Sequence, residues 1–344
     1  MDEFLRLSLD DQAEILNTKA AELGRSAKIL EKDIWVCWAL EKLFSIPNGP
    51  RMVFKGGTSL SKVFKAINRF SEDIDVTIDY RDLSVNVNPF DESVSRTKWK
   101  QICQELHQLL QSKIKEQIAP PISSSFKEIT KNMGRIKLEL SEDANIVLFY
   151  PTILETENEY IEDSVKLEFG GRNSTEPNIG SEIEPDIAPS IPKLQFPRAH
   201  ISVLSPQRTF WEKATLIHFE CNRNDAGKAH RLSRHWYDLH KLSQLKIGKE
   251  ALADRELLRD VVLHKSVFFY SKKAKYNDCV EGGFKLSPDG PLLDAIAGDY
   301  QQMIESGMFY EAPPAFDDII KSARDLEKTI NQLGSIQEHE KRGE

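Results

Sequence analysis

The chain opens with two stretches, at 8–24 and 27–44, in which apolar residues recur with helical spacing. In the second stretch, Leu30, Ile34 and Trp38 are four residues apart and therefore lie on one face of a helix. A Pro-Asn-Gly-Pro sequence, typical of a turn, follows. These patterns predict two helices and then a break.

A short strand and a glycine turn are predicted next. The run 52–54 is apolar, as in a buried strand, and Gly56 and Gly57 follow it. Glycines permit backbone conformations that other residues avoid, and they let a ligand approach the main chain. Thr58 and Ser59 are good helix-start residues, and helical spacing continues after them. Because a helix start presents free N–H groups and a positive dipole end, this turn is a candidate phosphate site.

The segment Asp73-Ile74-Asp75 adds a candidate metal site. On a strand, Asp73 and Asp75 project from the same face, about 6–7 Å apart, while Ile74 faces the core. Two carboxylates so close repel each other unless a cation lies between them. Oxygen ligands of this kind suit Mg²⁺, which usually shares its coordination shell with substrate phosphates. The alternative is a solvated edge strand, and the glycine turn upstream favours the metal–nucleotide interpretation.

Helix and strand signals then alternate. A long amphipathic helix is predicted over 93–118, ended by Pro120 and Pro121. Three strands are predicted at 135–140, 145–150 and 164–169. The Pro- and Glu-rich stretch 176–192 is interpreted as an irregular connection or a strand-edge loop.

From Ser205 onward the pattern is helical, with breaks at 222–229 and 276–290. We therefore predict an α+β fold in two domains. Residues 1–204 form a domain with a mixed sheet, and residues 205–344 form a helical domain.

Composition and charge exclude several classes of protein. The 344 residues carry a formal net charge of −8, so contact with nucleic acid must rely on a local basic patch. The four cysteines have no CxxC spacing, which argues against a zinc site or disulfide framework and fits a reducing cytoplasm. No signal-peptide core is present, and no apolar run approaches the ~18 residues of a membrane span. We expect a cytoplasmic protein without membrane contact.

The glycine turn and the aspartates together resemble a known family. The stretches 54–62 (Phe-Lys-Gly-Gly-Thr-Ser-Leu-Ser-Lys) and 69–75 (Arg-Phe-Ser-Glu-Asp-Ile-Asp) are similar to the AbiEii/AbiGii-type nucleotidyltransferase toxins of bacterial type IV toxin–antitoxin systems. Those toxins belong to the DNA polymerase β-like nucleotidyltransferase superfamily. The segment 31–36 (Glu-Lys-Asp-Ile-Trp-Val) resembles the one that precedes this motif in the family. Lys55 is a departure, because the superfamily pattern has a hydrophobic residue there.

The resemblance implies a polymerase β-like nucleotidyltransferase domain, an NTP as substrate and Mg²⁺ or Mn²⁺ as cofactor. Asp73 and Asp75 are then the expected metal ligands. The expected nucleotide-binding residues of this motif are Lys55, Gly56, Gly57, Thr58 and Ser59.

Such a site also needs a third carboxylate on a neighbouring strand, to help hold the metal and to accept a proton from the attacking hydroxyl. Glu168 is the first candidate, because a Gly-Gly-Arg sequence follows closely, as beside a ligand cleft. Glu139 has the same local pattern and is the second candidate. The alternative for Glu168 is an exposed acidic position that pairs with Lys166.

Two further segments resemble the later motifs of the family. Ser205 caps a helix in which the resemblance makes Lys213 the residue that reaches the phosphates of the nucleotide. The segment 233–239 (Ser-Arg-His-Trp-Tyr-Asp-Leu) resembles the last motif, with Ser233 as the expected helix cap. By resemblance, Asp238 orients the lysine or supports metal binding. Without the resemblance, Lys213 is an ordinary solvated residue and Asp238 forms a surface ion pair.

Basic residues are concentrated in two places. The first cluster is interpreted as phosphate contact for an RNA substrate. Its members are Arg223, Lys228, His230, Arg231, Arg234 and His235. The second run, Lys-Lys-Ala-Lys-Tyr at 272–276, is more typical of a solvated helix end than of a base-stacking site.

We therefore predict an enzyme that transfers an NMP from an NTP to an acceptor hydroxyl and releases pyrophosphate. The predicted catalytic residues are Asp73, Asp75, Glu168, Lys213 and Asp238. The resemblance implies the 3′ end of tRNA as acceptor, a toxin role in phage defence, and a cognate antitoxin that represses the operon. Two alternatives stay open: a protein or small-molecule acceptor, and a catalytically silent NTP-binding module.

Overall fold

The computed structural model describes residues 2–83, 90, 94–140, 144–154 and 162–342, with side chains as far as residue 333. The chain divides into two compact units. The first consists of Met1–Phe64 and Phe70–Leu204, and the second of Lys65–Arg69 and Ser205–Glu344. The short segment Lys65–Arg69 thus belongs with the second unit, which the sequence did not predict.

Within the described residues, the first unit is built on a sheet of seven strands. They are β1 (Met52–Lys55), β2 (Ile74–Ile78), β3 (Arg135–Glu139), β4 (Asn145–Phe149), β5 (Ser164–Gly170), β6 (Asn178–Ile183) and β7 (Ala199–Leu204). Their order in the sheet is β3-β4-β5-β2-β1-β7-β6. The pairs β1–β7 and β2–β5 are parallel and the other neighbours are antiparallel. The predicted α+β fold class with a mixed sheet is confirmed.

Six described helices belong to this unit: α1 (Glu3–Arg6), α2 (Leu9–Leu23), α3 (Ala27–Phe44), α4 (Gly56–Lys62), α5 (Arg96–Lys113) and α6 (Ala119–Ile129). The first two predicted helices are confirmed as α2 and α3. Their starts are set locally, because Ser8 and Ser26 accept a hydrogen bond from the backbone N–H three residues on. Gly24 ends α2 in the left-handed conformation that favours glycine.

Helix α3 lies at the centre of the unit. It contacts β5 and β7 and is buried along almost its whole length. The Trp35 ring stacks on Tyr150, with ring centroids 5.3 Å apart, and Trp38 packs on Phe126 at 5.6 Å. Aromatic rings bury large apolar areas, so these contacts pack α3 against the end of β4 and against α6.

The two prolines do not end the long helix. Helix α5 continues through a π-helical turn, Ile114–Ile118, directly into α6. Pro120 and Pro121 lie in the first turn of α6, directly after the π-helical turn, and such turns and prolines are where the regular hydrogen-bond ladder of a helix is interrupted without ending it. The predicted stop at the prolines was therefore wrong. Residue 93, the predicted start, lies outside the described residues, and α5 begins at Arg96.

The interpretation of 176–192 as an irregular connection was wrong in part. Residues Asn178–Ile183 form β6, which pairs with β7 at six positions. The strand lies at one edge of the sheet and is mostly exposed, so its sequence lacks the apolar alternation of a buried strand. Pairing with β7, which sequence pattern does not reveal, determines its conformation.

The second unit is helical, as expected. Its described helices are α7 (Pro206–Arg223), α8 (Ser233–Gln244), α9 (Lys246–Ala253), α10 (Arg255–Phe268), α11 (Gly290–Glu305) and α12 (Phe316–Arg342). The buried indoles of Trp211 and Trp236 donate hydrogen bonds to the carbonyls of Ala251 and Leu286 at 3.1 and 2.9 Å. None of the helices in the described part of the chain is both long and apolar enough to cross a membrane.

Candidate active site

The glycine turn between β1 and α4 is built around one side chain of β2. Gly56 begins α4 with a φ of +80°, a conformation that favours glycine. A Cβ added to Gly56 would lie 2.1 Å from Oδ2 of Asp75. The carboxylate of Asp75 therefore packs directly against the glycine, and both the backbone conformation and the space require glycine at this position.

The hydroxyls beside the turn are used within the protein. Thr58 donates a hydrogen bond to the carbonyl of Asp73 at 2.6 Å, and Ser59 donates one to the carbonyl of Gly56 at 2.9 Å. Both side chains are buried. Helix α4 begins at Gly56, so the expectation that Thr58 and Ser59 start the helix was wrong by two residues. The hydroxyl of Thr58 instead ties the glycine turn to the Asp-x-Asp segment.

A row of polar residues crosses the sheet beside this turn. In the register, Asp75 of β2 lies opposite Lys55 of β1 on one side and Glu168 of β5 on the other. Glu168 lies opposite Asn145 of β4, which lies opposite Glu139 of β3. Residues that oppose each other in a sheet share a face. The two candidate carboxylates, Glu168 and Glu139, therefore lie in one row with Asp75.

Strand spacing separates the two candidates. Strands β2 and β5 are neighbours, so Asp75 and Glu168 lie on backbones about 4.8 Å apart. Strand β3 is three places from β2, which puts Glu139 roughly 14 Å from Asp75. One metal ion binds its carboxylate oxygens within about 2–2.6 Å, so only Glu168 is on a strand close enough to share an ion with Asp75.

Two details qualify the arrangement. Strand β2 begins at Ile74, so Asp73 lies just before the strand. The prediction that Asp73 lies within the strand was wrong. Glu168 forms an ion pair with Lys166, at 2.5 Å from Nζ to Oε1, so the predicted alternative partner is present. The predicted inward direction of Ile74 is confirmed, because its side chain is fully buried.

The carboxylate oxygens at this place are ligands of the kind that hard divalent cations prefer. Asp75 and Glu168 offer carboxylate oxygens from adjacent strands, and Asp73 is tied to the same turn through Thr58. Across the described ranges, no three His, Cys, Asp or Glu side chains already stand close enough to enclose a metal ion. The carboxylates are thus on one face of neighbouring strands but are not arranged as a closed cage.

Helix α3 contributes two buried cation–carboxylate pairs that sequence reasoning missed. Lys32 pairs with Glu72, the residue before Asp73, at 2.5 Å. The next residue, Asp33, accepts from Lys62 at the end of α4, at 2.6 Å. All four side chains are nearly or fully buried. Adjacent residues of one helix thus contact both sequence motifs of the site. Three charged residues inside the apolar run of α3 were the signal that could have revealed them.

The second unit contains a buried cluster of three charged side chains. Arg69 donates two hydrogen bonds to Asp238, from Nε and Nη2, each at 2.7 Å. Nζ of Lys213 lies 2.8 Å from Oδ2 of the same carboxylate. Asp238 is fully buried, and Arg69 and Lys213 nearly so. The structure brings the two predicted residues Lys213 and Asp238 together and adds Arg69, which was not predicted.

Burial and charge set the protonation of this cluster. Burial alone would raise the pKa of Asp238, but the adjacent charges of Arg69 and Lys213 outweigh it and hold that pKa well below the usual range. Burial lowers the pKa of Lys213, and the attraction of Asp238 offsets part of that effect. Asp238 is therefore ionised, and it orients the lysine amine. Among the described residues, its ion-pair partners are Arg69 and Lys213, so one carboxylate holds both cations.

The predictions made for Lys213 and Asp238 without the family resemblance were wrong. Lys213 is 7% exposed and so is not a solvated lysine, and the ion pair of Asp238 is not on the surface. Trp236, two residues before Asp238, is buried in the core.

The capping prediction at Ser233 was also wrong. Ser233 lies inside α8, and its backbone N–H donates to Oδ2 of Asp299 at 2.8 Å. Asp299 also accepts from the N–H of Arg231 at 2.5 Å. A carboxylate of α11, instead of the serine hydroxyl, therefore satisfies the start of α8. The predicted cap at Ser205 is confirmed, since its hydroxyl accepts from the N–H of Arg208 at 3.1 Å.

The members of the basic cluster differ in their surroundings. Arg223 pairs with Glu220 at 2.5 Å, and Lys228 and His230 are exposed or partly exposed. Burial, and then the charge of Lys213, lower the pKa of His235 well below its ordinary value. His235 is therefore neutral and is not one of the positive charges of the cluster. The lysines of 272–275 are exposed, as expected for a solvated segment.

The chain is similar to known nucleotidyltransferase toxins. Residues 38–322 match the family model described as "Nucleotidyl transferase AbiEii toxin, Type IV TA system". Among solved structures, MenT4, a nucleotidyltransferase toxin of Mycobacterium tuberculosis, is similar, with a TM-score of 0.50 and 16% sequence identity. The match covers 96% of this chain and 93% of that one. No curated protein matches the chain. At 16% identity the structural similarity shows the fold alone. The family model spans most of the chain and so shows the family.

Proposed function

Because this chain belongs to the AbiEii family of nucleotidyltransferase toxins of type IV toxin–antitoxin systems, we propose that it transfers an NMP from an NTP to the 3′ end of tRNA. The reaction joins the α-phosphorus to the acceptor hydroxyl oxygen, breaks the bond to the β-phosphate oxygen, and releases pyrophosphate and a proton. Modification of that end would stop translation in the cytoplasm, which is how the toxin would act against phage-infected cells.

One observation supports the site most strongly. The carboxylate of Asp75 packs on Gly56 and stands in register with Glu168 on the adjacent strand. The glycine turn and the acidic strand are therefore parts of one structure. The pairing supports Asp73, Asp75 and Glu168 as ligands of Mg²⁺, or of Mn²⁺ in its place. When bound, the ion would neutralise charge on the triphosphate and activate the acceptor hydroxyl.

The residues of the chain have separate parts in the proposed reaction. Glu168 accepts the proton of the attacking hydroxyl, directly or through water. Lys213 places its amine against the charge that develops on the leaving pyrophosphate. Asp238 holds that amine in position, with Arg69 as its second partner.

The turn residues would bind phosphate mainly through the main chain. The hydroxyls of Thr58 and Ser59 are engaged with carbonyl groups, which leaves the backbone N–H groups of Gly56 and Gly57 to meet an anion. The ammonium of Lys55, which is the last residue of β1 and lies opposite Asp75, adds a positive charge beside the turn.

The partners follow from the family and from charge. A type IV system supplies an antitoxin, and we propose that it acts by repressing the operon. Exposed basic residues of the second unit, such as Lys228, would contact the phosphates of the RNA. The strong salt dependence of such contacts is a measurable property of the proposed RNA complex.

The acceptor can be tested directly. The protein is incubated with each of the four NTPs, labelled at the α-phosphate, together with total RNA, total protein and a small-molecule extract in separate reactions. We expect Mg²⁺-dependent label on tRNA, removed by enzymes that trim the 3′ end. Label only on protein or on small molecules would overturn the tRNA proposal, and no label in any reaction would overturn the transfer chemistry.

A further inference from the structure

Lys166 stands among the carboxylates of the candidate metal site. It is two residues from Glu168 on β5, so both side chains lie on one face of the strand, and their charged atoms are 2.5 Å apart. Val165 and Leu167, on the opposite face, are buried. Lys166 and Glu168 are about one-third exposed (34% and 37%), so the ion pair is open to solvent.

The register gives Lys166 a second carboxylate neighbour. Strands β2 and β5 are parallel, with Ile74 opposite Leu167 and Asp75 opposite Glu168. Lys166 lies on the same face as Glu168, so it is diagonally across from Asp75 on the neighbouring strand. The lysine therefore pairs with one carboxylate proposed to bind the metal and lies next to the strand that carries another. Carboxylates held this close need a positive charge between them, and Lys166 supplies one.

We propose that the Lys166 ammonium is the internal counter-ion of this site, and that a divalent cation displaces it. The inference rests on the proposed metal-dependent function. An exposed ion pair is weak because water screens it and because two side chains must be held in one geometry. A divalent ion has twice the charge of the ammonium and binds several oxygens at once, so it displaces the lysine readily. Lys166 is thus a positioning residue that holds Glu168 before the metal arrives.

The chain offers a matched control in Lys137. On β3, Lys137 pairs with Glu139 at 2.7 Å in the same lysine–x–glutamate pattern. This pair is two strands from Glu168 on β5 and three strands from Asp75 on β2, roughly 10 and 14 Å by strand spacing. Neutralising Lys137 removes the same charge from the same sheet without removing the ion pair of Glu168.

The test measures Mn²⁺ binding to the nucleotide-free, full-length protein by the loss of the free-ion paramagnetic resonance signal. The proteins are wild type, Lys166→Met, Lys166→Arg, Lys137→Met and Asp75→Asn, each checked for folding by circular dichroism. Without the competing ammonium, Lys166→Met is expected to bind Mn²⁺ about fivefold more tightly, as for removal of an exposed ion pair. Lys166→Arg keeps a cation and Lys137→Met leaves the site intact, so both are expected to match wild type.

The outcomes separate the inference from the function on which it rests. If Asp75→Asn abolishes binding in the wild-type background but Lys166→Met binds Mn²⁺ as wild type does, or more weakly, the Lys166 inference is overturned and the metal site stands. If Lys137→Met tightens binding equally, the effect is general electrostatics and the inference is likewise overturned. If no protein binds Mn²⁺ in an Asp75-dependent way, the metal site and the inference both fail.

Discussion

The carboxylate of Asp75 occupies the space that a side chain at position 56 would fill, with Oδ2 only 2.1 Å from the position of a Cβ on Gly56. Two residues 19 positions apart in the sequence are therefore packed as one structural unit. The glycine allows the positive φ of the turn and also determines where the carboxylate can stand. This contact joins the glycine turn and the acidic strand into one structure.

Replacing Gly56 with alanine is expected to abolish transfer activity. The added Cβ must displace Asp75, and the left-handed backbone adds a cost of about 1–2 kcal/mol to the folded state. Gly24→Ala is the matched control, because Gly24 also has a positive φ (+62°) and an added Cβ there meets nothing within 4 Å. Urea unfolding should show that both variants lose stability, and label transfer should show that only Gly56→Ala loses activity. Full activity in Gly56→Ala would contradict the role given to this contact.

The two candidate carboxylates should respond differently to neutralisation. Glu168→Gln is expected to lower the transfer rate by about 10²-fold or more, as for loss of a group that acts in the transition state. Glu139→Gln is expected to keep nearly the wild-type rate, because β3 is three places from β2. Single-turnover transfer at saturating NTP is the measurement. A larger loss in Glu139→Gln than in Glu168→Gln would assign the third carboxylate to β3 instead.

Local signals in the sequence predicted the local parts of this structure. The bounds of α3 follow from helical spacing and the Ser26 cap. The turn at Gly56 follows from residues that are adjacent in the sequence. The strand alternation at 164–169 likewise identified β5 and placed Glu168 and Lys166 on one face. Each of these depends on interactions within a few residues.

Long-range pairings could not be predicted from a single sequence. Arg69 and Asp238 are separated by 169 positions, and no periodicity links them. The cap of α8 was assigned to Ser233, but Asp299, 66 positions away, accepts the backbone N–H of Ser233 and also that of Arg231. A side chain from a distant helix can accept the hydrogen bonds that a local cap would otherwise accept. Local propensity does not reveal such a distant partner.

The buried cluster of the second unit predicts a separation of stability from activity. Asp238→Asn leaves Arg69 and Lys213 buried without their shared anion, so we expect a loss of about 3–5 kcal/mol in the free energy of unfolding. Lys213→Met leaves the Arg69–Asp238 pair in place, so a smaller loss of stability is expected, with transfer reduced by about 10²-fold or more. Lys246→Met, which removes an exposed pair with Glu250, is the control and should leave stability nearly unchanged, because water screens such a pair. Equal stability losses in Asp238→Asn and Lys246→Met would contradict the burial argument.

Glu31 on α3 predicts a dependence of stability on pH. Burial raises the pKa of its carboxyl group from 4.5 to about 7, although hydrogen bonds from the Ile153 N–H and the Thr152 hydroxyl lower it in part. Between those two pH values the folded protein holds a proton that the unfolded chain has lost. The free energy of unfolding therefore falls as pH rises from about 4.5 to 7, by up to about 3 kcal/mol, and this contribution is constant above pH 7.

Glu31→Gln tests this directly, because the amide keeps an oxygen for the Ile153 N–H and a donor for the Thr152 hydroxyl and cannot ionise. Urea unfolding at pH 5 and pH 8 should show a smaller decrease in stability for Glu31→Gln than for wild type, and a more stable variant at pH 8. Glu14→Gln, at an exposed position of α2, is the control and should keep the wild-type pH dependence. An unchanged decrease in Glu31→Gln would mean that other groups cause the pH dependence and that Glu31 is ionised in the folded protein.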